Sequence, residues 1–214
     1  MATFTLTPNQ ITAIASLHAA TPPKASDRLI TPILTTIHVT VTPGEVSAVA
    51  TDRYIVTHLA FPLGAYAHTL DTEPLVFAVD SKDWQALAKA IGTTLGYVAI
   101  TVDSDRVTAA WDHGHLIGQY LTVTGNYPPG QRLFPDVVVP LDTMPYFTPD
   151  KLTRAMKATH PDATSAKARA DVIWSLGVGE THTTRKHAPL VLTAHTPAGV
   201  VLRSLVQPNT PVNP

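Results

Sequence analysis

Basic side chains recur on one face of two segments that have the residue spacing of a helix. At about 100° per residue, these cations lie nearly opposite the apolar positions of the same segments. Cations spaced by helical turns can follow a phosphate backbone without reading bases, although lysines on a polar helix face are also ordinary solvated surface. Only Asp83 and Asp150 offer the opposite charge there, which favours the phosphate-binding interpretation. The predicted contacts with a phosphate backbone are Lys82, Lys89, Lys151, Arg154 and Lys157, together with Lys24 in the proline-rich connection after the first helix.

The other reactive side chains do not form a catalytic set. The ten histidines include the pair His113 and His115, but no acid or cysteine completes a recognisable metal site around them. The absence of cysteine excludes disulfides, thiolate catalysis and cysteine-based zinc sites. The sequence also lacks a P-loop, a serine nucleophile elbow and a complete dinucleotide-binding loop. We therefore predict a protein that is not an enzyme and that uses no metal or cofactor.

Composition and charge limit the remaining classes. With 44% hydrophobic and 14% charged residues among 214, the chain can bury one large core or two small ones, and it does not have a disordered composition. The net charge of -1 combines about -2 in residues 1–73, -2 in residues 74–141 and +3 in residues 142–214. Any contact with a polyanion must therefore come from a local patch. No apolar run has membrane-spanning length and the N-terminus lacks a signal pattern, so we predict a cytoplasmic protein.

One helix-start pattern occurs twice in the chain. Thr7-Pro8-Asn9 returns 141 residues later as Thr148-Pro149-Asp150, each with an N-capping threonine, a proline at the first helical position and an apolar stripe behind it. A third start, Asp80-Ser81, lies near the midpoint. Helix starts about 70 residues apart indicate a single structural unit that is used three times.

Each third of the sequence has the same order of predicted elements: a strand, a helix and then β hairpins. The predicted fold class is therefore α+β, built from three βαβββ repeats with helices on one side of antiparallel sheets. The predicted helices are Pro8–Ala19, Lys82–Ile91 and Leu152–Thr159. We predict two units, at residues 1–73 and 74–135, which together form one domain. A third unit at residues 136–214 forms half of another domain and ends in a loose C-terminal tail.

Three segments carry a resemblance to a known family. Pro32–Ile37 followed by Val46–Tyr54 resembles the middle domain of bacterial DNA sliding clamps, where an apolar strand precedes a hairpin that ends in Ala-Thr-Asp-Gly-His-Arg-Leu. Gly125–Pro135 is similar to the clamp motif Gly-x-Phe-Pro-Asp-Tyr-x-Arg-Val-x-Pro, and Val201–Pro208 is similar to the clamp C-terminus. The three matches occur in the family's order and cover most of the chain.

The resemblance implies a processivity factor, which is a ring lined by helices that encircles duplex DNA and tethers a polymerase and other proteins. Clamp rings contain twelve βαβββ units, so three units per chain predict four chains per ring. The resemblance also implies a possible need for a clamp loader, and the small size and short third unit favour a phage-type version. An alternative stays open: a clamp-fold adaptor or decoy that binds replication partners without encircling DNA, which the near-neutral charge favours.

In the clamp family, partner peptides dock in an apolar pocket beside the Thr-Asp-Gly-His segment. This chain departs from the family where Arg53 and Tyr54 replace Gly-His and where Gln207 replaces a methionine, which alters the shape and polarity of the implied pocket. Some of the apolar positions are equally well explained as ordinary core residues. Carried over by position, the pocket comprises Leu34, Thr51, Arg53, Tyr54, Val56, Pro128, Leu133, Leu205 and Gln207.

Overall fold

The computed structural model describes residues 1–22, 32–64, 73–92, 96–103, 106–112, 114–119, 133–136, 138–140, 149–159, 173–179, 189–195 and 200–207. The order strand, helix, three strands occurs three times. Unit 1 contains β1 (Ala2–Leu6), α1 (Pro8–Ser16), β2 (Thr36–Val41), β3 (Glu45–Thr51) and β4 (Ile55–Pro62). Unit 2 contains β5 (Leu75–Asp80), α2 (Ser81–Ile91), β6 (Val98–Val102), β7 (Arg106–Trp111) and β8 (Gly114–Gln119). Unit 3 contains β9 (Val138–Pro140), α3 (Pro149–Ala158), β10 (Ile173–Gly179), β11 (Leu190–His195) and β12 (Val201–Val206).

Local capping sets the helix starts. Thr7 and Gln10 form a capping box, in which the Gln10 amide N–H donates to Thr7 Oγ1 at 3.3 Å and the Thr7 N–H donates to Gln10 Oε1 at 2.8 Å. At α2, Asp80 Oδ1 accepts from the Lys82 N–H at 2.8 Å. The first helix is shorter than predicted, because the α-helical part ends at Ser16 and a 3-10 helix follows over Leu17–Ala20. Thr148, the predicted cap of α3, lies outside the described residues.

The first strands of units 1 and 2 are exchanged. β1 pairs with β6 of unit 2, and β5 pairs with β2 of unit 1, both antiparallel. The exchange gives a four-stranded sheet in the order β1-β6-β7-β8 and joins β5 to a larger sheet. The rings of Phe4 in β1 and Phe77 in β5 lie 6.1 Å apart between centroids, and both are fully buried. The exchanged strands therefore share one core and tie the two units together.

Unit 3 joins unit 1 through its last strand. β12 pairs antiparallel with β4 from Val201 opposite Ala60 to Val206 opposite Ile55, which gives an eight-stranded sheet in the order β5-β2-β3-β4-β12-β11-β10-β9. α3 packs against the 3-10 helix of unit 1, and the Ser16 hydroxyl donates to the Ala158 carbonyl at 2.9 Å. In space the units therefore follow the order 3-1-2.

The helices lie on one face of the eight-stranded sheet. Ser204 in β12 shares a 2.6 Å hydrogen bond with Thr57 in β4, and its hydroxyl also donates to the Ala155 carbonyl of α3 at 3.4 Å. The two β4 residues next to Val56 in sequence point towards this helical layer, and Val56 itself points to the opposite face of the sheet. Successive side chains of a strand point to opposite faces. None of the described helices has the length and apolar character needed to cross a membrane. The largest fully buried side chains are Phe4, Leu6, Ile11, Ile14, Leu17, Ile37, Ile55, Leu59, Phe77, Ile100, Leu190 and Leu202.

Candidate functional site

Six of the residues predicted for the pocket meet at one end of three adjacent strands. Val56 in β4 lies opposite Thr51 of β3 on one side and opposite Leu205 of β12 on the other. The Gln207 N–H donates to the Tyr54 carbonyl at 2.9 Å, which fixes the end of β12 beside the β3–β4 turn. We call Thr51–Val56 with Leu205 and Gln207 the corner. Sequence-distant segments thus form one continuous surface there.

The turn of the corner is held by its own side chains. Asp52 Oδ1 accepts the Tyr54 N–H at 2.9 Å and the Ile55 N–H at 2.8 Å. Thr51 Oγ1 accepts the Arg53 N–H at 3.0 Å and donates to the Ile55 carbonyl at 2.8 Å. These bonds keep Arg53 at a φ of 81°, in the left-handed region where a non-glycine residue costs about 1–2 kcal/mol. The backbone therefore has a conformation that suits glycine, while the chain carries arginine at this position.

The surface of the corner is mixed apolar and cationic. Tyr54 is 56% exposed, Val56 and Leu205 are half-buried, and the Lys151 ammonium lies 4.7 Å from the centre of the Tyr54 ring. This contact is a cation–π interaction. Such a surface can bind an extended peptide through aliphatic and aromatic contacts, with positive charge beside them.

The other predicted pocket residues have different positions. Leu34 is buried in a 3-10 helix, Pro32–Thr35, and not in the apolar strand that the resemblance implies for Pro32–Ile37. Leu133 is 40% exposed. Pro128 lies outside the described residues, as do Lys24 among the predicted DNA contacts and His113 of the histidine pair.

Arg154 links unit 3 to the corner. Its Nη1 donates to Asp52 Oδ2 at 2.7 Å, its Nη2 to the Thr21 carbonyl at 2.8 Å and its Nε to the Ala19 carbonyl at 3.1 Å. The side chains of Arg154 and Asp52 are only 14% and 5% exposed. The guanidinium that was predicted to contact DNA is therefore engaged within the chain, where it binds the same carboxylate that orders the turn.

Three of the predicted DNA contacts are exposed on helices. Lys82 and Lys89 lie on the surface of α2, and Lys157 lies on the surface of α3. Lys151 is half-buried beside Tyr54, and α1 carries no charged side chain. The positive surface of the helical layer is therefore concentrated at α2 and α3.

A cavity that sequence reasoning missed lies next to the corner, on the sheet face opposite the helices. Its volume is about 350 Å³, and it is lined by His58, Ala60, Phe134, Asp136, Val201 and Arg203. The Phe134 ring lies 6.0 Å from the His58 ring between centroids and covers it. Burial, followed by the charge of Arg203, lowers the pKa of His58 to about 4. The alternation of side chains along β4 predicts that His58 points away from the helical layer. It does not predict that a loop from unit 2, which carries Phe134, buries the His58 ring.

The fold is similar to solved structures of DNA sliding clamps. The chain matches the DNA polymerase sliding clamp of Bacillus subtilis with a TM-score of 0.51 at 15% identity, over 96% of this chain and 49% of that one. It matches the DNA polymerase III subunit beta of Pseudomonas aeruginosa with a TM-score of 0.53 at 15% identity, over 98% and 52%. A structure of A. fulgidus PCNA bound to the C-terminal region of FEN-1 matches with a TM-score of 0.55 at 10% identity, over 100% of both chains.

These likenesses are structural. No protein-family model and no curated protein matches the sequence. The chain spans about half the length of the bacterial clamps that it matches. The repeated units, the antiparallel sheets and the helical layer on one face nevertheless agree with the fold that the three resembling segments implied. The chain therefore has the α+β fold of the DNA polymerase sliding clamps.

Proposed function

We propose that the chain is a DNA sliding clamp: a non-enzymatic processivity factor that forms a ring around duplex DNA and tethers a DNA polymerase and other replication proteins. The observation that carries this proposal is the joining of three repeats into one body with a single helical layer. α1 contacts α2 on one side and is bonded to α3 through Ser16 on the other, while β12 and β4 continue the sheet behind them. Repetition of such a body around an axis gives a ring with helices on one wall.

Binding of DNA in this proposal is electrostatic and independent of sequence. Lys82, Lys89 and Lys157 are exposed on the helical layer, where flexible ammonium groups can contact phosphates of either strand. Arg154 has no place in this DNA face, because its guanidinium is engaged with unit 1. A modest number of phosphate contacts suits a ring that moves along DNA, because tight contacts would hold it in place.

Partner binding is assigned to the corner. Tyr54, Val56 and Leu205 supply the apolar surface, and Arg53 and Lys151 add positive charge at its border. Peptides that combine a hydrophobic residue with a neighbouring acid fit this surface best. The proposal includes four chains per ring, a clamp loader as a further partner, and action in the cytoplasm, which is the host's cytoplasm if the chain is encoded by a phage.

The alternative function is a clamp-fold adaptor or decoy that binds replication partners without encircling DNA. Two observations favour it: the net charge is -1, and α1 contributes no cation to the helical layer. The corner would act in the same way under both functions, so DNA binding distinguishes them.

The DNA face can be tested by removing its three exposed lysines together. Each phosphate contact that is lost should flatten the slope of log affinity against log salt by about 0.9. The variant Lys82→Gln/Lys89→Gln/Lys157→Gln is therefore expected to flatten the slope by up to about 2.7 per bound chain, measured by fluorescence anisotropy with duplex DNA.

The matched control removes three cations that are not on the helices, in Arg53→Gln/Arg106→Gln/Arg203→Gln. Both variants change the net charge equally, so general electrostatic attraction changes equally as well. An equal loss of slope in both variants, or none in the lysine variant, would contradict a DNA face on the helices.

A further inference from the structure

The chain joins its units by two different kinds of junction. Units 1 and 2 meet at a helix junction: α1 lies beside α2, the first strands are exchanged, and the Nδ1 of His18 hydrogen-bonds to Ser81 Oγ at 2.8 Å. Units 3 and 1 meet at a strand junction, where the last strands β12 and β4 pair. The two junctions alternate along the body.

The two ends of the body are consequently different. In the order 3-1-2, and among the residues that the structure describes, unit 3 has paired its last strand but forms no helix junction, whereas unit 2 has its helix at a junction and its last strand, β8, is the end strand of the four-stranded sheet. Unit 3 also keeps its first strand for itself, because β9 pairs with β10 of the same unit. One end thus offers a helix and the other a strand edge.

The open side of α3 can be identified from its contacts. Arg154 and Ala158 both face unit 1, through the bonds to Ala19 and Ser16. Met156 lies two residues from each of them, which at about 100° per residue places it roughly 160° around the helix from both. Met156 is 43% exposed, and it is the only large apolar side chain exposed to this degree on the described helices.

The same position is covered where the helix junction exists. The repeated helix start aligns Thr7 with Thr148, so Met156 in α3 corresponds to Ala15 in α1. Ala15 is only 7% exposed, and α1 has α2 as its neighbour at the helix junction. At this position a small, buried side chain therefore stands in the helix that has α2 beside it, and a large, exposed apolar one stands in α3.

We propose that α3 packs against α3 of a second copy of this chain about a two-fold axis, and thereby gains a helix contact like that between α1 and α2, without an exchange of first strands. The occupant is a second copy because the fold already shows which element covers this side: a unit of the same kind, presenting the same helix. A head-to-tail contact would place a strand edge against a helix surface, and these do not complement each other. The contact is isologous, with Met156 near the axis.

The proposal also fixes how a ring would close, and this part rests on the proposed function. If twelve units are needed, four chains must alternate α3–α3 contacts with β8–β8 contacts, so the ring has two kinds of two-fold axis. This alternation is necessary because a chain with an odd number of units has two different ends. The α3 end can pair only with another α3 end, and the β8 end only with another β8 end.

Charge adds a condition to the contact. Lys157 adjoins Met156, so two copies of α3 bring like charges together. Salt or DNA phosphates screen this repulsion, and the α3–α3 contact should strengthen when either is added. An ordinary surface ion-pair contact would weaken with salt.

The absence of cysteine allows a direct test in the full chain. In Met156→Cys each chain carries one thiol near the proposed axis, and helices packed about 8–10 Å apart bring such residues within reach of a short bismaleimide. Most of the protein is expected to become a covalent dimer, and to do so more completely with added salt or duplex DNA. Gln85→Cys is the control, because it puts an exposed thiol on α2, a helix that already has its partner.

Light scattering completes the test. The unmodified chain is expected to have the mass of four chains, and Met156→Asp the mass of two, since the β8 contact remains. Equal cross-linking of the two cysteine variants, or an unchanged mass in Met156→Asp, would overturn the α3–α3 contact. A four-chain mass with no Met156→Cys dimer would overturn this inference while leaving the clamp proposal intact, and a monomer would contradict both.

Discussion

Replacing Arg154 by methionine is expected to lower the free energy of unfolding by about 3–5 kcal/mol, because it leaves a buried carboxylate without its partner. Asp52 is 5% exposed, and its Oδ2 lies 2.7 Å from the guanidinium. The Ala19 and Thr21 carbonyls lose hydrogen-bond donors in the same substitution. Urea unfolding followed by circular dichroism measures the change.

The chain supplies a matched control for this substitution. Lys157→Met removes a cation from the same helix, but its side chain is exposed, so a change within about 0.5 kcal/mol is expected. Adding Asp52→Asn to Arg154→Met should recover part of the loss, because the uncompensated charge disappears while Oδ1 can still accept from the turn. If Arg154→Met and Lys157→Met are equally stable, the buried pair is not what joins unit 3 to the corner.

Acidification is expected to destabilise the fold through His58. Its pKa is about 4 in the folded chain, against an ordinary value of 6.5, so below pH 6.5 the unfolded chain binds a proton that the folded chain does not. The stability that neutral His58 contributes is complete above pH 6.5 and is lost as the pH falls towards 4, by about 3 kcal/mol. Burial lowers the pKa of His38 to about 4 as well. Both histidines therefore contribute to how steeply the free energy of unfolding falls as the pH is lowered.

His58→Asn should remove about half of the histidine-dependent loss of stability between pH 6.5 and 4. His195→Asn is the control, because this histidine is exposed at the end of β11. Carboxylates titrate in the lower part of the same range, and comparison of the variants cancels their contribution. Chemical unfolding at a series of pH values gives the profiles, and a His58→Asn profile parallel to that of the unmodified chain would contradict the buried, neutral His58.

Local structure was predictable because its causes are local. The capping box of Thr7 with Gln10 and the cap at Asp80 involve residues two or three positions apart, so the helix starts follow from the sequence. The order of a strand, a helix and hairpins that was predicted for each third is found for the same reason, since alternation and turn residues are read in short windows.

The pairing of units was not predictable in this way. β1 and β6 are both alternating strands, and nothing within either one specifies that they pair across 90 or more residues. The same holds for β12 with β4, which sets the order 3-1-2. Which distant strands pair depends on how the sheets and the helical layer pack together, and the residues within one strand specify this only weakly.

Arg154 shows the same limit at the level of one side chain. A helical projection correctly separates it from the apolar stripe, but the acid that engages it lies 102 residues away. Asp52 was recognised only as part of the clamp-like turn, so no signal in the sequence joined the two. His58 is similar, because Phe134 from another unit buries it. The residues of the corner were placed near one another by the family resemblance, which supplied a non-local relation that the residues alone did not, and their role in binding partners stays a prediction.

The central proposal is that this protein encircles DNA, and its most direct test is topological retention. Protein assembled on nicked circular duplex DNA by dilution from dissociating salt is separated from free protein by gel filtration, and the DNA is then cut once. The proposal predicts that the protein stays on the circle at moderate salt, leaves when the circle is cut, and stays again when both ends are blocked by a bulky protein. Equal retention on circular and linear DNA, or none on either, would contradict encirclement and favour the adaptor.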